Sequence, residues 1–247
     1  MQSAEIVVMI HDKKNSGHSI FTMFLAVFCA LRGNFPALQA ILDALDARGI
    51  ETVFNAGNTA GAYPWPNETI ALLRERNIPT VQGTDDRATA RLLRTSEQLL
   101  RKMPPETRHA LEWTHAHTAS ANIEWLGTLP KARKFTIEGI PILLCHAAPT
   151  SAREPLTRDT PLEVFERQRE AAEAQLILCG GSSPPFARTI EDTLFVCPGS
   201  ATAPKEARFA IIDTETVPWS AAFHEVPYDY ERVQRRLEET GLTPNQP

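Results

Sequence analysis

Cysteine is scarce in this chain of 247 residues, and none of its four cysteines stands in a C-x-x-C pair. Paired thiolate motifs of the zinc-ribbon or redox kind are therefore missing. Cys29, Cys145, Cys179 and Cys197 each sit at or near the end of an apolar run, the setting of small buried thiols in a reducing compartment. Excess positive charge is also absent. A formal net charge of −5 does not suit a general nucleic-acid binder, which needs a basic face, although Arg87, Arg91 and Arg94 could form a local basic patch. The apolar run Ile20–Leu31, about twelve residues, is too short to span a bilayer. With His11, Lys13, Lys14 and His18 upstream it has the outline of a signal peptide. The small-residue cleavage pattern is poor, however, and cutting there would remove the first core strand. The expectation is a cytoplasmic protein without a membrane segment. Internal repeats and low-complexity stretches are lacking too.

What is present is organised around Phe24–Asp46. Phe24–Leu31 is an almost unbroken apolar run of strand length, as expected for a strand covered on both faces. Gly33 and Asn34 allow a sharp exit, and Pro36 suits the first turn of a helix. Leu38, Ile41, Leu42 and Leu45 then share one helical face. Further strands are expected at Glu51–Asn55 and Ile78–Val81, with a helix between them capped by Asn67 and running to Arg76. Arg87–Lys102, Glu106–His117 and Ala119–Leu126 read as helices. Lys134–Glu138 and Ile140–Cys145 read as a hairpin across Gly139. After a helix at Pro161–Ala174 come strands at Leu176–Cys179 and Leu194–Val196. The chain closes with an antiparallel edge of Arg208–Asp213 and Trp219–Val226, then a terminal helix at Tyr228–Glu239. Glu5–Ile10 could add a strand. The expected division is an extension over 1–19, a main domain over 20–227, and a C-terminal helix and tail over 228–247.

Five strand ends in this order, each followed by a polar or glycine loop, carry a set of short motifs. They are Ala30-Leu31-Arg32-Gly33-Asn34-Phe35-Pro36-Ala37-Leu38, Gly57-Asn58, Tyr63-Pro64-Trp65-Pro66-Asn67-Glu68, Gly83-Thr84-Asp85-Asp86, the single His146, Gly180-Gly181-Ser182-Ser183-Pro184-Pro185-Phe186 and Cys197-Pro198-Gly199-Ser200. Together they resemble the calcineurin-like metallophosphoesterase family, and its small bacterial phosphodiesterase branch in particular, over roughly residues 22–215. The family writes these motifs as D-x-H-G-N with P-A-L, G-D, Y-x-x-x-P-N-E, G-N-H-D, a lone histidine, G-H-T-H-x-P-F and N-P-G-S. The resemblance implies an α/β fold, a four-layer α/β/β/α sandwich with mixed sheets. It also implies two divalent metals held at the strand ends for phosphoester hydrolysis.

Matched position by position, the ligand set is altered. Ala30 and Arg32 stand for the first aspartate and its histidine, and Asn58 for the bridging aspartate. Thr84 stands for the amide ligand, Asp85 for the catalytic histidine, and Gly181 and Ser183 for the last two histidines. Of the eight positions only His146 keeps the family's residue. Two neighbouring dications need carboxylates and neutral imidazoles, which a neutral Asn58 and a cationic Arg32 do not supply. The expected reading is a protein that has lost dimetal catalysis, needs no cofactor, and binds a protein partner or a small anionic ligand. The resemblance offers the retromer scaffold subunit as a precedent. One rival is a phosphodiesterase or phosphatase with a single Mg²⁺ or Mn²⁺ on the remnant cleft of Asn58, Asp85, Asp86 and His146, with Asp86 and His146 as ligands. Another is an anion sensor built on Arg32, Gly33 and Asn34 at a helix N-terminus. Arg32 could equally be ion-paired with Asp85 or Asp86. His115 and His117, two apart on a helix, do not share a face, and a homo-oligomer stays open.

Overall fold

Alternating contacts along the first strand set the layers. The structure is a computed structural model describing residues 24–215 and 219–244. The expected strand at Glu5–Ile10 and the 1–19 extension lie outside these residues. In β1 (Phe24–Phe28), Leu25 and Val27 face one buried cluster while Ala26 and Phe28 face another. Both faces are covered, which is why no polar residue interrupts the run. The second cluster is completed by α1 (Phe35–Asp46), whose Leu38, Ile41, Leu42 and Leu45 are buried on β1.

Two mixed sheets result. The first has the order β2-β1-β8-β9, with β2 (Thr52–Asn55) parallel to β1 and β8 (Glu206–Asp213) antiparallel to it. β9 (Ser220–Pro227) forms the edge. The second has the order β3-β4-β5-β7-β6, from β3 (Ala132–Ile137), β4 (Ile140–Cys145), β5 (Leu176–Leu178), β6 (Phe186–Ile190) and β7 (Thr193–Cys197). Leu25, Val27, Phe54, Leu144, Leu178 and Val196 fill the space between the sheets. Ile177, Phe195 and Cys179 turn outward against Phe165 of α7 (Leu162–Ala172). The expected α/β/β/α sandwich is therefore what the chain forms.

The remaining helices before the C-terminal one fall between β2 and β3 in the chain. They are α2 (Pro66–Glu75), α3 (Thr84–Arg91), α4 (Glu97–Leu100), α5 (Pro105–His117) and α6 (Ser120–Thr128). The terminal α8 (Tyr230–Thr240) buries Val233 on Tyr63 and Trp65.

Several local expectations are corrected. Ile78–Val81 is not a strand but a single parallel bridge between Asn55 and Thr80. Pro79 has no N–H to extend the ladder, which is limited to Asn55 N–H donating to Pro79 O at 2.9 Å and Val81 N–H donating to Asn55 O at 3.2 Å. Arg87–Lys102 is not one helix: α3 gives way to a 3₁₀ turn at Leu92–Arg94, and Ser96 is extended with ψ 145° before α4. Thr95 and Ser96 offer the backbone local alternatives to a helix, and the break folds Leu92 and Leu100 onto Leu111. Asn67 does not cap α2. Trp65 occupies the cap, and the Asn67 side chain instead bonds His117 O, Ala119 N and Asn122 Nδ2 at 2.8–2.9 Å. Phe186 belongs to a strand, β6, rather than to the loop before it.

Candidate functional site

The loops leaving β1, β2, β4, β5 and β7 gather at one edge of the sandwich. Three non-glycine residues there hold left-handed backbone: Ala30 (φ 60°), Arg32 (φ 51°) and Asn58 (φ 56°). Such conformations persist only where the surroundings over-determine them. Here the first two loops are laced together, with Ala30 N–H donating to Gly57 O at 2.9 Å, Arg32 N–H to Asn58 O at 2.8 Å and Gly33 N–H to Thr59 O at 2.7 Å. Gly57 (φ 93°) sits where an added Cβ would meet Gly83 N, Val81 O and the His146 ring at 2.8–2.9 Å. No larger residue fits.

Asp86, fully buried, is the staple of this edge. Its Oδ1 accepts from Thr59 N–H (2.7 Å) and Ala60 N–H (3.0 Å), and its Oδ2 from Asn58 N–H and Gly83 N–H (both 2.9 Å). Burial pushes its carboxyl up to about 6, while these N–H donors hold the ionised form against that rise. Asn58 has a related role. Gly83, at the cap of α3, has no side chain, and Asn58 Oδ1 takes its place by accepting from Asp85 N–H at 2.9 Å. Asp85 in turn accepts from Arg32 Nε at 3.0 Å, with both side chains partly exposed.

His146 is buried at the end of β4, and its Nδ1 lies 2.7 Å from Ala56 O. That carbonyl accepts, so Nδ1 carries the proton and Nε2 keeps the lone pair. Desolvation holds the imidazole below its ordinary range, so the ring is neutral near pH 7.

A cleft of about 180 Å³ opens above these groups, lined by Ala30, Arg32, Asn58, Thr84, His146, Arg153, Ser182, Ser183 and Ser200 among others, with no carboxylate in its wall. The Ser182 hydroxyl is buried there without a hydrogen-bond partner. Of the residues expected from sequence, Arg32, Asn58 and His146 meet at this cleft, with Asp85 bonded to Arg32 and Asp86 beneath. Gly33 and Asn34 do not join them. The Gly33 N–H is spent on Thr59 O, the Asn34 N–H on Leu31 O, and the Asn34 side chain accepts from Ala37 N–H as the cap of α1. Neither backbone N–H is therefore left for an anion. Arg153 and Ser182 escaped the sequence reading. For Arg153 the available signal was a cation in the loop after His146, and for Ser182 a place in the glycine-serine loop after β5. His115 is tied to Thr89 O and His117 stacks on Trp113, both away from the cleft.

The sequence model of the calcineurin-like phosphoesterase superfamily domain matches residues 23–217. The chain belongs to that superfamily. It is similar to an uncharacterized protein of Methanocaldococcus jannaschii, 26% identical over 189 residues, which covers 76% of this chain and 73% of the relative. A hypothetical protein from Pyrococcus horikoshii OT3 is 25% identical, with a TM-score of 0.77 over 90% of this chain and 94% of its own. A metallophosphoesterase from Sphaerobacter thermophilus shares the fold at 22% identity and a TM-score of 0.69, over 90% and 95% of the two chains.

The metal pair implied by the superfamily fold does not fit the side chains at this edge. Both oxygens of Asp86 are taken by backbone N–H groups, Asn58 Oδ1 is taken by Asp85 N–H, and Asp85 is ion-paired. Ala30 and Gly181 supply no donor, and Arg32 brings a positive charge into the place of a ligand. One imidazole nitrogen is too little for two dications. Among the described residues no group of three His, Cys, Asp or Glu side chains is placed to hold a metal ion.

Proposed function

We propose that this member of the calcineurin-like phosphoesterase superfamily has given up dimetal hydrolysis and works by binding, with the strand-end cleft taking a small anion such as phosphate. The observation that carries the proposal is the charge of the cleft. Its wall holds two guanidinium groups, Arg32 and Arg153, three serine hydroxyls and no carboxylate. Guanidinium forks and hydroxyl donors suit a tetrahedral oxyanion. Arg153 has no ion-pair partner among the described residues. Asp85 holds the Nε edge of Arg32 and so fixes its direction.

The test has two arms. Protein purified without chelator is analysed for bound metal and then assayed with Mn²⁺ on bis(p-nitrophenyl) phosphate. Metal well below one equivalent and turnover equal to the protein-free blank are expected. Turnover that disappears in His146→Ala would overturn the proposal in favour of a single-metal hydrolase. In the second arm, orthophosphate raises the melting temperature, and Arg153→Ala or Arg32→Ala removes the rise.

A further inference from the structure

Beside the cleft runs a second, larger groove of about 510 Å³, sharing Thr84 and Arg153 with it. Four cations line it: Arg87 and Arg91 on α3, Lys131 just before β3, and Arg153 in the loop after β4. Arg87 and Arg91 are one helical turn apart on the same face, about 6 Å between their Cβ atoms. Seven arginines elsewhere among the described residues are ion-paired, Arg76 to Asp46 and Arg208 to Glu225, for example. These four have no ion-pair partner among the described residues, and no carboxylate lines the groove. Concentrating unmatched positive charge on a chain of net charge −5 sets up a local field that an anion relieves. The sequence hinted at only part of this: Arg94 falls outside the groove, while Lys131 and Arg153 arrive from distant segments.

We propose that this groove binds a small molecule carrying a chain of phosphates. A single tetrahedral anion matches the 180 Å³ cleft, but four cations spread over three segments call for several linked negative groups. Leu99 and Ala88 add apolar surface to the groove wall, on which an organic moiety attached to such a chain can rest. The shared chemistry is the phosphate chain, free or esterified to a nucleoside. The proposal goes beyond the cleft reading and does not need it.

The test is isothermal titration of the full chain with inorganic tripolyphosphate, adenosine triphosphate and orthophosphate at about 50 mM salt, repeated at about 200 mM. Tripolyphosphate is expected to bind, with affinity falling as salt rises. The exposed-face double variant Arg87→Gln/Arg91→Gln should weaken it by about tenfold or more, and Lys131→Gln should weaken it separately should the double variant fold poorly. The orthophosphate response, which reports the cleft, should survive the double variant. Tighter binding of the nucleotide than of tripolyphosphate assigns the apolar part of the wall to the nucleoside, and equal binding assigns the site to the phosphate chain alone; both support the proposal. Absence of binding by either polyphosphate, or binding unchanged in these variants, overturns it. So does tighter binding of a single-stranded RNA oligomer, which would make the groove a nucleic-acid track. Loss of the orthophosphate response with tripolyphosphate binding intact would sink the cleft reading alone.

Discussion

At the scale of single residues, one position shows how a kept side chain takes on structural duty. His146 is the only one of eight matched positions that retains the family's residue, yet its Nδ1–H is fixed on Ala56 O and its ring is buried. Because burial holds its folded pKa below the ordinary value of 6.5, the unfolded chain takes up a proton first as pH falls. The stability owed to neutral His146 is therefore present above pH 6.5 and lost as pH drops below it. Comparing the wild type with His146→Gln in urea between about pH 7.5 and about pH 5, the wild type's advantage should shrink toward acid. An advantage that stays constant or grows would show that the ring is not buried neutral. Some of this was legible: a lone histidine after an apolar strand marks a strand-end position, but the partner of Nδ1 comes from the loop after β2 and had no local signature.

At the scale of elements, the edge depends on one carboxylate bonding a loop and a helix start. Asp86 is the third residue of α3, and its bond to Gly83 N–H is the local half of a capping box. Its bonds to Asn58, Thr59 and Ala60 reach a loop 26–28 residues away. In Asp86→Asn one oxygen becomes an NH₂ group facing two N–H donors. At about 1–3 kcal/mol for each buried donor left unmatched, the unfolding free energy should fall by roughly 2–6 kcal/mol, read as a lower urea midpoint with an unchanged slope. A change below about 0.5 kcal/mol would mean that the carboxylate is dispensable there. The same long reach explains the elements misread from sequence. Asn67 has the composition of a cap but is drawn away to the junction of α5 and α6, and α3 ends early because Leu92 and Leu100 pack on Leu111. β6 alternates correctly, Phe186 and Ile190 inward with Ala187 and Thr189 outward, but it is short and follows a run of glycine, serine and proline.

At the scale of the whole molecule, the packed layers bury all four cysteines. Cys29 faces the core between the sheets, and Cys145, Cys179 and Cys197 face α7. Burial pushes the Cys29 and Cys145 thiols up to about 12, far from the thiolate form that reacts. Because all four are buried, iodoacetamide at neutral pH should label none of them in the native protein and all of them in guanidinium chloride. Rapid native labelling of Cys29 would mean that the strand-end cleft opens to its floor. No helix among the described residues is long and apolar enough to cross a membrane.

Sequence alone determined the architecture. Unbroken apolar strands demand cover on both faces, amphipathic helices supply it, and glycine turns at strand ends set where the loops converge. It also determined what the loops lack, since ligand chemistry is a property of residue type and can be counted without coordinates. Tertiary structure alone decided how the remaining polar groups are used. Hydrogen bonding spent the backbone N–H groups of Gly33 and Asn34 on neighbouring carbonyls and committed Asn58 and Asp86 to backbone N–H groups. The meeting of α3 with the start of β3 and the loop after β4 placed four unmatched cations in one groove. Those outcomes rest on contacts between segments far apart in the chain, and neither periodicity nor local propensity records which distant backbone atom a side chain will meet.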